Sequence, residues 1–206
     1  GELTVTADWL DKKNELMLTE VTTYIFTGDA KSRTVDRITT LTAKTDVVFK
    51  DVKDGMFAIR VARQLEHPSK GPGEFTDANG IATKVPTMDN TGVSGSYRTS
   101  AGIEGEDVWS TRAPWCNLRG KMGDETVNIV IIDHPKNVGY PTYWHARGYG
   151  LFAANPLGQN VFSKGKETLN LTLKNGESTT FRYRTVIASE SLSDEKINQI
   201  TADFGK

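Results

Sequence analysis

The sequence predicts an all-β fold, an antiparallel β-sandwich with one short C-terminal helix and a long polar loop. Apolar and polar residues alternate with period two through most of the chain, in short stretches rich in Val, Ile, Thr, Phe and Tyr. Only one segment shows helical spacing, where Ser193 precedes two acids and Ile197, Ile200 and Phe204 fall on one side. A single helix among many strands is typical of a sandwich or barrel in which the helix is a terminal cover.

The alternation predicts strands along the whole chain. It begins at Leu3 and continues through further stretches, at residues 16–26, 35–43, 46–51, 56–65, 127–132 and 143–149. Near the end, Asn175 and Gly176 separate two more alternating stretches, and both residue types tolerate the positive φ of a tight turn. We therefore expect a hairpin over about residues 167–188.

Residues 66–107 differ from the rest in composition. Only 10 of these 42 residues are hydrophobic, although the segment holds 7 of the chain's 19 glycines. Long loops inside a compact domain usually form lids or binding walls. We expect one β-sandwich domain over residues 1–206, with 66–107 as a long loop whose Glu74, Tyr97 and Arg98 can touch a polyol. Because the chain starts with Gly inside an alternating run, we also expect it to be a fragment of a longer protein.

Composition excludes several classes of function. The 25 Lys and Arg residues nearly balance the 26 Asp and Glu residues, so no basic field is present to attract nucleic acid or an anionic membrane. No apolar run approaches the roughly 18 residues that a membrane helix needs, which predicts a soluble domain. Cys116, the single cysteine, has no internal disulfide partner, and the chain carries neither metal-ligand spacing nor a phosphate-binding glycine motif. We predict no metal, no cofactor, no nucleic-acid partner and no membrane partner.

Polar and aromatic residues are concentrated between residues 109 and 158. Pro135 ends the apolar stretch 127–132, so His134 lies at a strand terminus. On the next predicted strand, alternation puts four side chains on one face: Tyr143, His145, Arg147 and Tyr149. Tyrosine supplies flat apolar area with a hydroxyl, arginine binds carboxylates or hydroxyls, and histidine transfers protons near neutral pH, which suits a saccharide site. We expect His134, His145 and Arg147 in one neighbourhood; a hydrogen-bonded structural role is the alternative for each histidine.

The same region resembles a known family. Residues 133–137, Asp-His-Pro-Lys-Asn, and residues 141–156 are similar to bacterial proteins labelled PmoA-like or methane oxygenase. Weaker similarity extends over nearly the whole chain, which resembles the C-terminal two-thirds of family members. The resemblance implies a supersandwich like that of mutarotase-like carbohydrate proteins, a saccharide ligand, a role in polysaccharide utilisation and a periplasmic or secreted location. Asn155, near the end of the second of these segments, is a further substrate-binding candidate. The chain lacks the spanning helices of a copper membrane oxygenase, so we treat that label as a misnomer.

Two hypotheses follow. In the first, the protein is a saccharide hydrolase, lyase or epimerase in which His134 and His145 transfer protons, with four substrate-binding residues: Tyr143, Arg147, Tyr149 and Asn155. Such chemistry needs a second acid or base, for which the candidates are Glu20, Glu74 and Asp133. In the second, the protein is a non-catalytic carbohydrate-binding or structural domain. A histidine within hydrogen-bonding reach of a carboxylate in an open groove would favour the enzyme, whereas burial of both histidines under Trp144 and Trp115 would favour the binding or structural domain.

Overall fold

The computed structural model describes all residues from 1 to 206, and its main element is a seven-stranded antiparallel sheet, called here the large sheet. Its strands follow in this spatial order: β1 (Glu2–Leu10), β2 (Leu16–Gly28), β3 (Ser32–Ala43), β14 (Ser178–Ala188), β10 (Glu125–Asp133), β9 (Trp115–Met122) and β8 (Ser96–Thr99). Strand β14 lies at the centre and pairs with β3 along its whole length.

A three-stranded antiparallel sheet, the small sheet, packs on the inner face of the large sheet. Its strands are β11 (Tyr143–Ala146), β12 (Leu151–Asn155) and β5 (Phe57–Arg60). Two separate ribbons complete the strands: β4 (Val47–Phe49) with β13 (Leu171–Leu173), and β6 (Gly73–Thr76) with β7 (Ala82–Val85). The helices are α1 (Gln159–Phe162) and α2 (Asp194–Phe204), with 3-10 turns at Arg63–Leu65 and Gly105–Val108. The predicted all-β sandwich is confirmed.

The main core lies between the two sheets. Trp144 and Phe152 of the small sheet join Phe181, Tyr97 and Cys116 of the large sheet in one buried cluster. Successive side chains of a strand point to opposite faces, so β11 sends Trp144 into this core and the side chains on either side of it away from the core. That alternation decides where the polar residues of β11 lie.

Helix α2 covers part of the opposite, outer face of the large sheet. Ser193 caps it as predicted, with its Oγ accepting a hydrogen bond from the Lys196 N–H at 3.3 Å. Ile197 is buried against a second cluster from the central strands, formed by Trp115, Val130, Ile132 and Val186. The predicted C-terminal helix is confirmed, whereas the four-residue α1 was not predicted because one turn is too short for a helical pattern.

The inner face of the large sheet extends beyond the small sheet. All nine residues of β1 are exposed, because no layer packs on this edge. The β4–β13 ribbon covers only one end of β2 and β3, in a small cluster of Leu18, Ala43, Val47 and Leu173. A stretch of inner face on β1, β2 and β3 is therefore left without a covering sheet.

The predicted hairpin over residues 167–188 is wrong. The chain does turn at Asn175 and Gly176, where Gly176 has a φ of 86°. The strands on either side do not pair with each other, since β13 pairs with β4 while β14 enters the large sheet between β3 and β10. The turn residues fix the local conformation, but packing in the core determines which strands pair with each other.

The long polar segment is only partly a loop. Within it, β8 adds to the edge of the large sheet, and Tyr97 is buried in the main core. Arg98 binds Asp194 and Glu104, while Glu74 pairs with Lys84 on the exposed β6–β7 ribbon. The prediction that Tyr97 and Arg98 reach a polyol from a loop is therefore wrong, because both belong to a strand with structural partners.

The cap of α2 gives a test of the fold. We expect Ser193→Ala to lower the free energy of unfolding by about 1 kcal/mol, because one N–H of the first turn loses its acceptor. Ser191, exposed and outside the helix, provides the control: Ser191→Ala should change stability by less than about 0.5 kcal/mol. Urea unfolding followed by circular dichroism measures both values, and equal effects would contradict the assigned cap.

Candidate functional site

His134 lies just beyond β10 and faces helix α2. Its ring is edge-on to Phe204, with 5.1 Å between the ring centres, and its Nδ1 accepts a hydrogen bond from the Lys136 N–H at 3.0 Å. Burial lowers the pKa of His134, and the positive charges of Arg182 and Lys136 lower it further. A neutral ring with Nδ1 as acceptor fits this environment. His134 therefore anchors the end of α2.

His145 lies on the other side of the molecule, on the face of the small sheet that points away from the core. Its Nδ1 is 3.0 Å from the carbonyl oxygen of Lys53, and its ring packs edge-on against Phe162. Burial lowers the pKa of His145, with a further contribution from Arg147. The core and both sheets separate it from His134, so the predicted neighbourhood is wrong for His134, whereas Arg147 does lie near His145.

Neither histidine has a carboxylate at hydrogen-bonding distance. His134 is 6% exposed and His145 is 4% exposed, and the protein partner of each Nδ1 is a backbone group. Asp133, next to His134, is also buried, and its oxygens accept from the Asn137 side chain and the Thr142 N–H at 2.7 and 2.8 Å. Burial raises the pKa of Asp133 to about 7 against these hydrogen bonds. This carboxyl group organises the turn that follows β10.

Asn155 is fully buried, and all of its side-chain polar atoms are engaged. Its Nδ2 donates to the carbonyl oxygens of Val52 and Lys53 at 3.0 and 2.8 Å, and its Oδ1 accepts from the Leu157 N–H at 3.0 Å. The approach is so close that a Cβ on Gly55 would be 1.9 Å from Oδ1. Asn155 and His145 together hold residues 52–55, named here the clamped loop.

Three of the four stripe residues share one face, although β11 ends at Ala146: Tyr143, His145 and Arg147 all border the cluster of Phe162 and Trp109. Tyr143 stacks on Phe162 with 5.5 Å between ring centres and is buried. The Arg147 guanidinium lies 4.4 Å above the centre of the Trp109 ring. Tyr149 is exposed beneath the guanidinium of Arg60. Alternation correctly predicted that Tyr143, His145 and Arg147 face the same way, and Tyr149 lies in the turn that follows them.

The clamped loop forms one wall of a cavity of about 310 Å³. The opposite wall is the uncovered inner face of the large sheet. Its lining residues are Trp9, Arg37, Phe49, Val52, Asp54, Gly55, Met56 and Leu157. The predicted residues His145 and Asn155 thus lie behind this cavity, where they position its wall.

A hydrogen-bond network fixes the polar side of the cavity. Glu20 accepts from the Trp9 Nε1–H at 2.9 Å, from the Thr22 hydroxyl at 2.6 Å and from Arg37 Nη2 at 3.3 Å. The Glu20 and Arg37 side chains are 16% and 15% exposed. Arg37 Nη1 is buried and has no partner. The indole of Trp9 is held at a fixed angle while 39% of the residue stays exposed.

Sequence reasoning missed Trp9 and Arg37 and named Glu20 only as a second acid. The alternation of residues along β2 and β3 contained a signal for Glu20 and Arg37. Glu20 alternates with buried Leu18 and Thr22, and Arg37 alternates with buried Thr39 and Leu41. A charged residue in phase with buried ones is either paired or part of a site.

A second depression of about 420 Å³ lies beside the β4–β13 ribbon. Its carboxylate, Asp51, already accepts from the backbone N–H groups of Asn160, Leu169 and Asn170. These hydrogen bonds tie the segment after β4 to the start of α1 and to the loop before β13, so Asp51 acts as a structural group there.

Removing the Asn155 amide tests the clamped loop. We expect Asn155→Ala to lower the free energy of unfolding by about 2 to 4 kcal/mol, because buried carbonyl and N–H groups lose their partners. Asn160 is exposed and its side chain is bonded only to Thr168, so Asn160→Ala is the matched control and should cost less than about 1 kcal/mol. Urea titration of both variants measures the difference. A cost for Asn155→Ala no larger than the control would refute the clamp.

The two histidines give a pH test. Their pKa values are lowered in the folded protein, so their stabilising contribution is present above the unfolded value near 6.5 and is lost as pH falls through the folded value. Asp133 has a raised pKa, so its contribution to stability depends on pH with the opposite sign. The effect of the histidine must therefore be measured as the difference between wild type and a histidine variant. We expect the stability difference between wild type and His134→Asn to shrink between about pH 7 and pH 5.

Proton NMR of the imidazole signals checks the same inference directly. Both rings should titrate below about pH 6.5. Titration of either ring above that value in the folded protein would contradict the buried, neutral assignment.

No curated protein sequence matches the chain. None of its helices is long and apolar enough to cross a bilayer, and no group of three or more His, Cys, Asp or Glu side chains is arranged to hold a metal ion. A family described as a family of unknown function (DUF6807) matches residues 1–202. The match covers nearly every residue, and the chain therefore belongs to the DUF6807 family.

Proposed function

We propose that this domain binds a saccharide, without transforming it, in the cavity between Trp9, Arg37 and the clamped loop. The observation that carries the proposal is the half-exposed Trp9 indole, fixed by its hydrogen bond to Glu20 beside the Arg37 guanidinium. A sugar ring offers an apolar C–H face and hydroxyl groups at its edge. The cavity offers a flat aromatic face and charged groups at its edge in the same arrangement.

The chemistry of the lining suits hydroxyl groups. The carboxylate of Asp54 accepts hydrogen bonds, and the Arg37 guanidinium in the lining is a hydrogen-bond donor. The volume of about 310 Å³ is at the lower end of the range typical of small-molecule pockets. Phe49 and Met56 add apolar surface, so a ligand with both polar and apolar faces fits better than a purely ionic one. The resemblance to PmoA-like proteins supports the same class of ligand.

Catalysis by the two histidines has less support. They lie on opposite sides of the core, both are buried, and neither faces the cavity. Glycoside cleavage needs two carboxyl groups, or an equivalent acid and base, on either side of the scissile bond. Asp133 is enclosed by its hydrogen bonds and Glu74 lies on the exposed β6–β7 ribbon, so neither of these predicted acids accompanies Glu20, and the carboxylate that lines the cavity is Asp54. The binding hypothesis requires no second acid.

Isothermal titration against a panel of neutral mono- and oligosaccharides tests the proposal. We expect at least one to bind wild type, and Trp9→Ala to weaken that binding by at least tenfold, because the ring face is lost. Glu20→Gln should also weaken binding, since the amide cannot accept from all three donors. Phe75→Ala is the control, because Phe75 is also an exposed aromatic residue and lies on the β6–β7 ribbon, outside the cavity lining.

Two outcomes would overturn the proposal. If no saccharide binds wild type, or if Trp9→Ala binds as tightly as wild type, the cavity is not a saccharide site. If chromatography of the same mixtures shows a new sugar product, the domain is a catalyst and the non-catalytic assignment fails.

A further inference from the structure

Three of the four tryptophans donate their indole N–H to an acceptor, and the fourth does not. Trp9 donates its indole N–H to Glu20, Trp115 to the Asn198 side chain, and Trp144 to the Ala113 carbonyl oxygen, at distances from 2.8 to 3.1 Å. Trp109 Nε1 is buried and has no acceptor. A buried donor without an acceptor is uncommon and calls for a specific explanation.

The arginine stacked on Trp109 shows the same deficit. Arg147 lies 4.4 Å above the ring centre, and its Nε is buried without a partner. Other arginines that stack on aromatic rings in this protein have acceptors: Arg112 pairs with Glu167, Arg184 with Asp36, and Arg60 donates to the Tyr149 carbonyl oxygen. The guanidinium of Arg147 makes no ion pair with any carboxylate of the chain at 4 Å or less.

We propose that Arg147 and Trp109 bind a carboxylate group of a ligand. Both unpartnered atoms are donors, so the missing group is an acceptor, and the unpaired cation beside them favours an anion. The planar guanidinium matches the two oxygens of a carboxylate. Two exposed acids, Glu106 and Asp107, precede Trp109 in the chain and disfavour a doubly charged phosphate.

Access requires a small movement. The two N–H groups are covered in this arrangement, so a carboxylate reaches them when the guanidinium slides across the indole ring. Arg147 and Trp109 are both half-exposed, and neither side chain is held by a hydrogen bond. Stacking contacts tolerate such sliding better than directional bonds do. The inference is independent of the saccharide proposal, since the Arg147 and Trp109 pair lies outside the cavity lined by Trp9.

Indole N–H signals in NMR spectra of the full chain test the inference. The probes are acetate, galacturonate, galactose as the neutral match of galacturonate, and inorganic phosphate. We expect acetate and galacturonate to shift the Trp109 signal, assigned through Trp109→Phe, while galactose leaves it unchanged. A larger response to galacturonate than to acetate would identify an acidic sugar, whereas equal responses would identify a general carboxylate site.

Substitution of the arginine completes the test. Arg147→Gln should weaken carboxylate binding at least tenfold, and Arg147→Lys, which keeps the charge but loses Nε and the fork, should weaken it as well. Arg60→Gln is the matched control, because Arg60 also stacks on an aromatic ring but has its own acceptor. The Arg60→Gln variant should bind the carboxylates as tightly as wild type does.

Three results would overturn the inference. They are an unmoved Trp109 signal with both carboxylates in the wild-type protein, tighter binding of phosphate than of acetate, and equal binding by Arg147→Lys and wild type. The first needs no variant, so it decides the matter even if a substitution impairs folding. The Trp9 signal reports the saccharide cavity separately, so failure at one site is distinguishable from failure at the other.

Discussion

The large sheet has seven strands and the small sheet that covers it has three, and the candidate site follows from this difference in width. Where the two sheets overlap, the inner face is apolar and closed by Trp144 and Phe152. Where the small sheet stops, the same face carries Glu20 and Arg37, which a closed core would not tolerate without partners. The cavity therefore lies at the edge of the core, where no small-sheet strand covers the large sheet and charged side chains replace apolar ones.

The edge of that opening is defined by backbone carbonyl groups. Residues 52–55 have no regular structure of their own, and Asn155 and His145 supply the hydrogen bonds that strands would otherwise provide. Because these two side chains belong to the small sheet, the loop moves with that sheet. The distance between the loop and Trp9 thus depends on how the two sheets pack on each other.

Local patterns in the sequence were sufficient for the elements whose determinants are local. Strands β2 and β3 follow from alternation, and α2 follows from Ser193 and three apolar residues at helical spacing. Pairing partners depend on distant residues, which is why Asn175 and Gly176 predicted a turn but the wrong hairpin. Strand β8 was missed because composition averaged over a long polar segment hides a four-residue strand in which only Tyr97 and Thr99 are buried.

The same reasoning explains the partial success with the site. Tyr143, His145 and Asn155 were noticed because polar residues inside an apolar pattern are unusual, but burial with saturated hydrogen bonds produces that pattern as readily as ligand binding does. Whether a polar side chain faces a loop or a cavity depends on which layer covers it. Trp9 and Arg37 are 28 positions apart, and only the pairing of β1, β2 and β3 brings them to one cavity.

Cys116, the one thiol in the chain, is fully enclosed between the sheets. Burial raises its pKa well above the ordinary value, so the thiolate that alkylating and oxidising reagents require is scarce even at alkaline pH. Reagents therefore reach the sulfur only through excursions in which β9 separates from the small sheet. The rate at which this thiol is labelled therefore measures how often the sandwich opens, and no engineered probe is needed for that measurement.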